Sequence, residues 1–490
     1  MSLINIVNLT FGYDGAADNI FENVSFQLDT SWRLGFTGRN GRGKTTFLRL
    51  LMGAYAYRGT IAADAAFDYF PYDVSDKSRD TLDVLTDAAP DAPQWAIMRE
   101  LSLLALDEGI LYRPFETLSN GEQTKALLAA LFLREGQFLL IDEPTNHLDA
   151  AARQTVSTYL RAKSGFILVS HDRAFMDACV DHILAINRTN IEVQRGNFSS
   201  WQANKQMRDD FELAENTRLK KDMRRLEESA KRTAKWSDNV EKSKIGSHAG
   251  DRGFIGHKSA KMMKRSKSIE TRRQDAAADK AALLKNIDTA DSLKLSPLAF
   301  HAERLAELAH VSVLYGEHCA CADVNLTIRR GARIALQGRN GSGKSSVLKL
   351  LAGQVLSHTG DFWRGSGLIV SYVPQDTSFL SGSLTDYARD CGIEESLFKA
   401  ILRKLDFARA QFDKDMHDFS EGQKKKTLIA RSLCERAHLY VWDEPLNFID
   451  VMSRMQIEEL ILAYAPTLLF VEHDAAFVDA VATETVLLGE

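Results

Sequence analysis

The segment GRNGRGKTTFLRLLMG starting at Gly38 recurs as GRNGSGKSSVLKLLAG starting at Gly338, a displacement of 300 residues. Later landmarks keep nearly the same displacement: Ser119 with Ser420 and Glu143 with Glu444 at 301, and His171 with His473 at 302. A repeat held over this distance means two whole domains built on one plan. Each copy needs about 190 residues, which leaves roughly 110 of unrelated connector between them. The expected organisation is a first domain at residues 1–198, a linker at 199–300 and a second domain at 301–490. Within each copy, apolar runs of strand character alternate with helical patterns. Residues 32–36 lead into the first glycine loop and residues 138–141 into an acidic pair, so each copy is expected to be α/β with a parallel sheet.

The connector reads differently. Met207, Phe211, Ala214, Leu219, Met223, Leu226 and Ala230 step at helical spacing with one register slip, and Met262, Ile269, Ala276, Lys280, Leu283 and Ile287 form a second near-heptad series broken by its lysine. Gly246, Gly250, Gly253 and Gly256 supply breakers between the two series. The expectation is a long α-helical hairpin with an irregular tip near residues 245–260, its first arm at 205–244 reaching on the order of 60 Å.

Charge separates the connector from the domains. The chain carries 61 Lys plus Arg against 66 Asp plus Glu, a net charge of −5. Residues 201–300 hold 23 basic against 15 acidic side chains, so the remainder is net −13 and a basic segment joins two acidic bodies. With 45% hydrophobic and 26% charged residues over 490, the composition is that of soluble globular domains and excludes wholesale disorder. The longest apolar stretch, residues 126–133, is far short of the roughly 18 residues that cross a bilayer, and the N-terminus lacks the pattern of a secretory leader. A cytoplasmic location is the resulting expectation. The five cysteines, Cys179, Cys319, Cys321, Cys391 and Cys434, are scattered without a second pair to complete a four-ligand metal site, and read as reduced structural thiols.

Both glycine segments fit G-x-x-x-x-G-K-[ST]. In such a loop the glycines let backbone N–H groups wrap phosphates at a helix N-terminus, the lysine reaches the β- and γ-phosphates, and the following hydroxyl coordinates Mg²⁺. The candidate ATP-binding residues are therefore Gly38, Arg39, Asn40, Gly41, Gly43, Lys44, Thr45 and Thr46 in one copy, and Gly338, Asn340, Gly341, Gly343, Lys344, Ser345 and Ser346 in the other. FLLIDEP ends in Asp142 and Glu143, and LYVWDEP in Asp443 and Glu444. At a strand end the first carboxylate suits Mg²⁺ and the second suits the attacking water. His171 in VSHD and His473 in VEHD end the next strand, within reach of a γ-phosphate.

LSNGEQ at residues 118–123 and FSEGQ at 419–423 complete a recognisable set. With the glycine loops, acidic pairs and histidines, both halves resemble ATP-binding cassette (ABC) nucleotide-binding domains. In that family the signature serine and its helix N-terminus serve the opposite cassette. The resemblance thus implies that Lys44 faces Ser420 and Gly422 across one ATP, while Lys344 faces Ser119 and Gly121 across the other. By the same resemblance Tyr13 and Tyr315 match the aromatic that stacks on adenine, and Gln375 in YVPQD matches a glutamine that contacts Mg²⁺ and the attacking water. The first copy has Tyr72 at that place, which puts equal turnover at the two sites in doubt.

Lysine to signature serine spans 75 and 76 residues in the two copies, so the insertion lies between the cassettes and not within one. That layout, with DEPTNHLD at 142–149 and DEPLNFID at 443–450, resembles the ABC-F family over essentially the whole chain. The second-copy motif, the linker stretch GFIGHKSAKMMKRSK from Gly253, the lack of an arm insertion and the short C-terminus are similar to the antibiotic-resistance branch acting on lincosamides, streptogramin A and pleuromutilins. The resemblance implies a monomer whose two cassettes pair within the chain. It further implies binding at the vacant E site of the bacterial 70S ribosome, contact with rRNA and P-site tRNA, and a linker tip approaching the peptidyl-transferase centre. Tip candidates are Phe254, Ile255, His257, Lys258, Lys261, Lys264 and Arg265; residues 231–273 carry 13 basic against 4 acidic side chains, suited to phosphates. Two alternatives stay open: a translation factor for stalled ribosomes without a resistance role, and an ATPase module of a membrane exporter.

Overall fold

The computed structural model describes residues 2–13, 19–134, 136–145, 148–187, 190–242, 264, 268, 271–272, 293–316, 318–339 and 341–489. Each copy is built on a central sheet of buried, mostly parallel strands. In the first copy β3 (Arg33–Gly38), β5 (Ala66–Phe70), β6 (Gln137–Asp142), β7 (Phe166–Val169), β8 (His182–Ile186) and β9 (Ile191–Arg195) run in the order β5-β6-β7-β3-β8-β9, with only the β8/β9 pair antiparallel. In the second copy β12 (Arg333–Gln337), β14 (Val370–Val373), β15 (Leu439–Asp443), β16 (Leu468–Val471) and β17 (Glu484–Leu487) run in the all-parallel order β14-β15-β16-β12-β17. The runs Phe138, Leu139, Leu140, Ile141 and Leu439, Tyr440, Val441, Trp442 are buried without alternation, as strands covered on both faces must be. At about 1.5–3 kcal/mol per fully buried large apolar side chain, these strands fix where the acidic pairs emerge.

A second, antiparallel sheet in each copy goes beyond the sequence reading. β1 (Leu3–Phe11) lies between β2 (Phe21–Asp29) and β4 (Arg58–Ala62), and β10 (Arg304–Tyr315) lies between β11 (His318–Arg329) and β13 (Ser357–Arg364). Its signal was the alternation in LINIVNLTF, which sends Ile4 and Ile6 into a core shared with Leu34, Phe36 and Phe47. A helical portion precedes each signature helix, cored by Leu85, Leu101 and Phe115 in one copy and by Phe398, Leu402 and Met416 in the other.

Contacts divide the chain into two compact units. One comprises Met1–Ile186, Ile191–Ser199 and Ala290–Glu490, and therefore holds both copies; the other comprises Asn187–Asn190 and Ser200–Thr289. The long helix expected of the linker runs Phe198–Lys242, 45 residues, and begins before the expected position 205. At 1.5 Å per residue it is roughly 65–70 Å long. Its apolar series is not an inward seam at the start: Met207, Phe211 and Ala214 are exposed, and the sheltered positions include Trp201, Lys205, Asp209, Glu212 and Asn216, spaced 4, 4, 3 and 4, with Gln202 and Glu215 beside them. That stripe is mostly polar, which hides it from a hydrophobicity pattern. Of the expected second arm, Lys264, Ser268, Thr271 and Arg272 are helical. The tip candidates Phe254, Ile255, His257, Lys258, Lys261 and Arg265 lie outside the described residues; Lys264 is exposed.

Candidate functional site

The first glycine loop leaves β3 and enters the helix Lys44–Leu51 through Gly43, whose φ is 92° and where a Cβ would stand 2.4 Å from Ile20 Cγ2. Only glycine fits there, and the loop's N–H groups gather at a helix N-terminus suited to anions. Lys44 folds over the loop, its Nζ donating to the carbonyl oxygens of Gly38 at 2.7 Å and Arg39 at 3.3 Å and to Asn40 Oδ1 at 3.2 Å. Asp142 Oδ2 accepts from Thr45 Oγ1 and from the Tyr69 hydroxyl, both at 2.9 Å. Glu143 follows at φ 52°, a conformation costing a non-glycine residue about 1–3 kcal/mol, and its Oε1 lies 3.3 Å from His171 Nε2. The second copy supplies the facing wall: Ser420 and Gly422 at the start of the helix Glu421–Cys434, with Asp406, Lys426 and Phe448. The cavity so enclosed is about 750 Å³. Asn40 Nδ2 donates across it to the Phe448 carbonyl at 2.9 Å, and Arg39 Nη1 lies 3.8 Å from Asp406 Oδ2.

The reciprocal cavity, about 1070 Å³, is walled by Lys344, Ser345, Ser346, Gly341 and Glu444 of the second copy and by Ser119, Gly121, Lys125 and Asp149 of the first. Gly343, φ 84°, repeats the role of Gly43: a Cβ there would meet the Ala320 carbonyl at 2.5 Å. Lys344 Nζ donates to the Gly338 and Arg339 carbonyls, both at 2.9 Å. Glu444, φ 46°, is held from three sides: Oε2 accepts from Gln375 Nε2 at 2.9 Å and from Asn447 Nδ2 at 2.6 Å, and Oε1 lies 3.4 Å from His473 Nε2. Both carboxylate oxygens of Asp443 are buried without a hydrogen bond of acceptable geometry among the described residues. Lys44 lines one cavity with Ser420 and Gly422, and Lys344 lines the other with Ser119 and Gly121. Tyr13 and Tyr315 stand at their rims, 44% and 45% exposed, and the Tyr13 hydroxyl lies 3.0 Å from Thr46 Oγ1. Asn340 lies outside the described residues.

A family profile described as ABC transporter matches residues 21–146 and 321–447, more than half of the chain and once in each copy. The chain belongs to the ABC transporter family. Its two copies are ABC domains that bind ATP, and the protein is an ATP hydrolase of that type. Among similar proteins, "Ribosome protection protein VmlR" of Bacillus subtilis (strain 168) is 27% identical over 99% of this chain and 87% of its own length. "ATP-binding protein Uup" of Caulobacter vibrioides is 28% identical over 97% of this chain and 75% of its own length. The same fold occurs in the solved complex of archaeal ribosomal stalk protein aP1 and archaeal ribosome recycling factor aABCE1, with TM-score 0.65 at 18% identity over 99% of this chain and 88% of that one. An RNase-L Inhibitor structure matches at TM-score 0.60 and 18% identity.

The two ABC sites differ electrostatically. Burial, reinforced by the Asp142 charge, pushes the Glu143 carboxyl up to about 8. Burial works in the same direction on Glu444, but the hydrogen bond and charge of His473, the Gln375 amide and the Lys425 charge together hold it below its ordinary value. Burial also raises Asp443 to about 6 against the effect of the Ser345 hydroxyl, and lowers both Lys44 and Lys344. His171 is driven well below its ordinary value by burial and by the charges of Lys44 and Arg454, so it is neutral at pH 7. Each site pairs a hydroxyl with a strand-end carboxylate, Thr45 with Asp142 and Ser345 with Asp443, an all-oxygen set suited to Mg²⁺. Among the described residues no three His, Cys, Asp or Glu cluster to hold a metal ion.

Several site residues escaped the sequence. Tyr69, Asp406 and Lys426 carry no motif of their own and are brought in by tertiary packing, and Asn447 sits inside DEPLNFID without a role assigned to it by that motif. Lys426 Nζ donates to the Leu405 carbonyl at 2.7 Å and to Asp450 Oδ2 at 2.8 Å, inside the wall of the first cavity. Duplication offered one usable signal: Lys125 occupies the same signature-helix position in the first copy, its Nζ donating to the Leu104 carbonyl at 3.2 Å. Tyr72 takes no part in its cavity; its ring lies 5.9 Å from the Arg134 guanidinium.

Proposed function

We propose that this chain is an ABC-F ATPase that binds the bacterial ribosome and protects it from antibiotics acting at the peptidyl-transferase centre. The observation that carries the reading is the layout: two ABC domains paired within one compact unit, separated in sequence by a basic helical segment, over a length that aligns almost entirely with a protein named for ribosome protection. The second copy's DEPLNFID and the linker stretch from Gly253 favour the resistance branch. Phosphate-rich RNA is the partner that a segment with 13 basic and 4 acidic residues between 231 and 273 would attract. A cytoplasmic location follows from that partner.

In this reading each ATP lies between a glycine loop and the opposite signature helix. Lys44 and Lys344 reach the β- and γ-phosphates, Ser420 with Gly422 and Ser119 with Gly121 close over the γ-phosphate, and Tyr13 and Tyr315 stack on adenine. Thr45 with Asp142, and Ser345 with Asp443 and Gln375, hold Mg²⁺, which when bound neutralises charge on the transferring phosphoryl group. Glu143 and Glu444 orient water, and His171 and His473 contact the γ-phosphate. ATP held in both sites keeps the cassettes closed and competent for the ribosome, and hydrolysis opens them.

A second reading, a translation factor without a resistance role, stays open because the chain is as similar to Uup, named only as an ATP-binding protein, as it is to VmlR. Drug susceptibility of a sensitive bacterial host expressing the chain separates them: raised inhibitory concentrations for lincosamides, streptogramin A or pleuromutilins support protection, and ribosome binding with unchanged susceptibility supports the second.

A further inference from the structure

The two cavities differ at three places where a strict repeat would make them alike. The first is the residue pair after the edge strand. Phe70 pairs with Ile141 and Val373 pairs with Trp442, so Pro71 and Tyr72 occupy the place of Pro374 and Gln375. Gln375 reaches back to Glu444 at 2.9 Å, whereas Tyr72 turns to Arg134 and leaves Glu143 without that amide. The second is the aspartate. Asp142 is engaged by Thr45 and Tyr69, whereas the hydroxyl of Tyr372, the counterpart of Tyr69, is buried without a hydrogen-bond partner among the described residues and does not bond Asp443.

The third is a latch across the copies. Asp406, at φ 62°, sits after the helix Glu395–Lys404 and places its carboxylate 3.8 Å from Arg39, a residue only 7% exposed. Its counterpart is Ala105, at φ 51° after the helix Gln94–Leu103, and the counterpart of Arg39 is the exposed Arg339. The backbone is repeated and the charge is not. With the Asn40 contact to the Phe448 carbonyl, the first cavity is bridged by two side chains of its glycine loop and is the smaller of the two, about 750 against 1070 Å³.

We propose that the two ATP sites divide their work: the second, built on Lys344, Gln375 and Glu444, turns ATP over, while the first, latched by Arg39 and Asp406, retains its nucleotide and keeps the copies together. Asp406 is a positioning residue for that retention, acting through Arg39. The inference rests on the two cavities being ATP sites and is independent of the ribosome. At the second site water attacks the γ-phosphorus, the bond to the bridging oxygen breaks, ADP leaves with the electron pair, and the water proton passes to Glu444 and then to the released phosphate. Gln375 and Asn447 fix the carboxylate oxygen that orients the water. At the first site Tyr72 turns to Arg134, so the corresponding carboxyl of Glu143 lacks the amide that Gln375 gives Glu444 and is not fixed in that way to orient a water.

The test uses the full chain with Mg²⁺ and ATP, reading steady-state hydrolysis and the nucleotide retained after rapid desalting. Glu444→Gln is expected to lower turnover at least about tenfold and Glu143→Gln less than about threefold. Wild type is expected to retain close to one nucleotide per chain. Asp406→Asn, which keeps the shape and removes the charge, is expected to release it at least about fivefold faster, with Asp406→Glu restoring retention. Equal losses from the two glutamine variants, or a larger loss from Glu143→Gln, would overturn the division of work. Retention unchanged in Asp406→Asn would overturn the latch. If Lys44→Ala and Lys344→Ala both left ATP binding at the wild-type level, the assignment of the cavities themselves would fall, a result distinct from either of these.

Discussion

Arg173 of the first copy and Glu458 of the second, 285 residues apart in sequence, meet at 2.5 Å between Nη2 and Oε2. Nearby, Arg153 Nη1 donates to the His473 carbonyl at 3.0 Å while also bonding Asp172 at 2.9 Å. These cross-copy contacts are charged and directional, a kind of closure that can be undone without exposing an apolar core.

The Arg173–Glu458 pair is therefore expected to set closure more than folding. Arg173→Glu and Glu458→Arg should each lower ATP turnover severalfold, and the double exchange should recover most of it, with a coupling of about 1–3 kcal/mol in a double-mutant cycle. Additive losses would show that the pair does not act as a unit.

Within the second copy, Lys426 and Asp450 form an ion pair with exposures of 4% and 0%. Removing one partner of such a pair strands a buried charge, so Lys426→Met is expected to cost about 3–5 kcal/mol. Asp450 also caps the helix Val451–Tyr464 by accepting from the Ser453 N–H at 3.0 Å, so Asp450→Ala is expected to cost about 1 kcal/mol more. Urea unfolding midpoints of the two variants check the order.

The two strand-end glutamates give opposite pH signatures. Glu143 is raised to about 8, so between the ordinary carboxylate range and pH 8 the folded state binds the extra proton and stability falls as pH rises. Glu143→Gln removes that cost, and its melting temperature relative to wild type should climb from pH 5 to pH 8. Glu444 is held low, so its contribution is present above the ordinary carboxylate range and fades in acid. Glu444→Gln should show no climb over the same interval. Nucleotide-free thermal melts across that interval test both signs.

Linker charge predicts the salt response. Ribosome affinity should fall steeply between 50 and 200 mM salt, and neutralising three of the basic residues Lys258, Lys261, Lys264 and Arg265 should flatten the slope of log K against log salt by about 2–3. At the tip, Phe254→Ala is expected to lower resistance while leaving ATPase activity intact. Wild-type resistance and affinity in that variant would remove Phe254 from the contact.

What the sequence disclosed and what it withheld divide along physical lines. Lys44, Ser420, Lys344 and Ser119 were legible because each motif occurs twice at a fixed spacing, and a duplicated pattern suppresses coincidence. The strands before Asp142 and Asp443 were legible because burial on both faces writes an unbroken apolar run. Asp406 was not, since its role depends on a partner 367 positions earlier in the chain and its counterpart is Ala105. Tyr69 looks like one more strand aromatic until its hydroxyl is placed on Asp142. The start of the long helix misled because its sheltered stripe of Trp201, Lys205, Asp209, Glu212 and Asn216 is chiefly polar, while the apolar Met207 and Phe211 face outward.

The most direct test of the account is co-sedimentation of the Glu143→Gln/Glu444→Gln double variant with bacterial ribosomes on sucrose gradients, with and without ATP. The account predicts that the variant moves into the 70S peak only when ATP is present. A nucleotide-loaded protein that stays at the top of the gradient would contradict it.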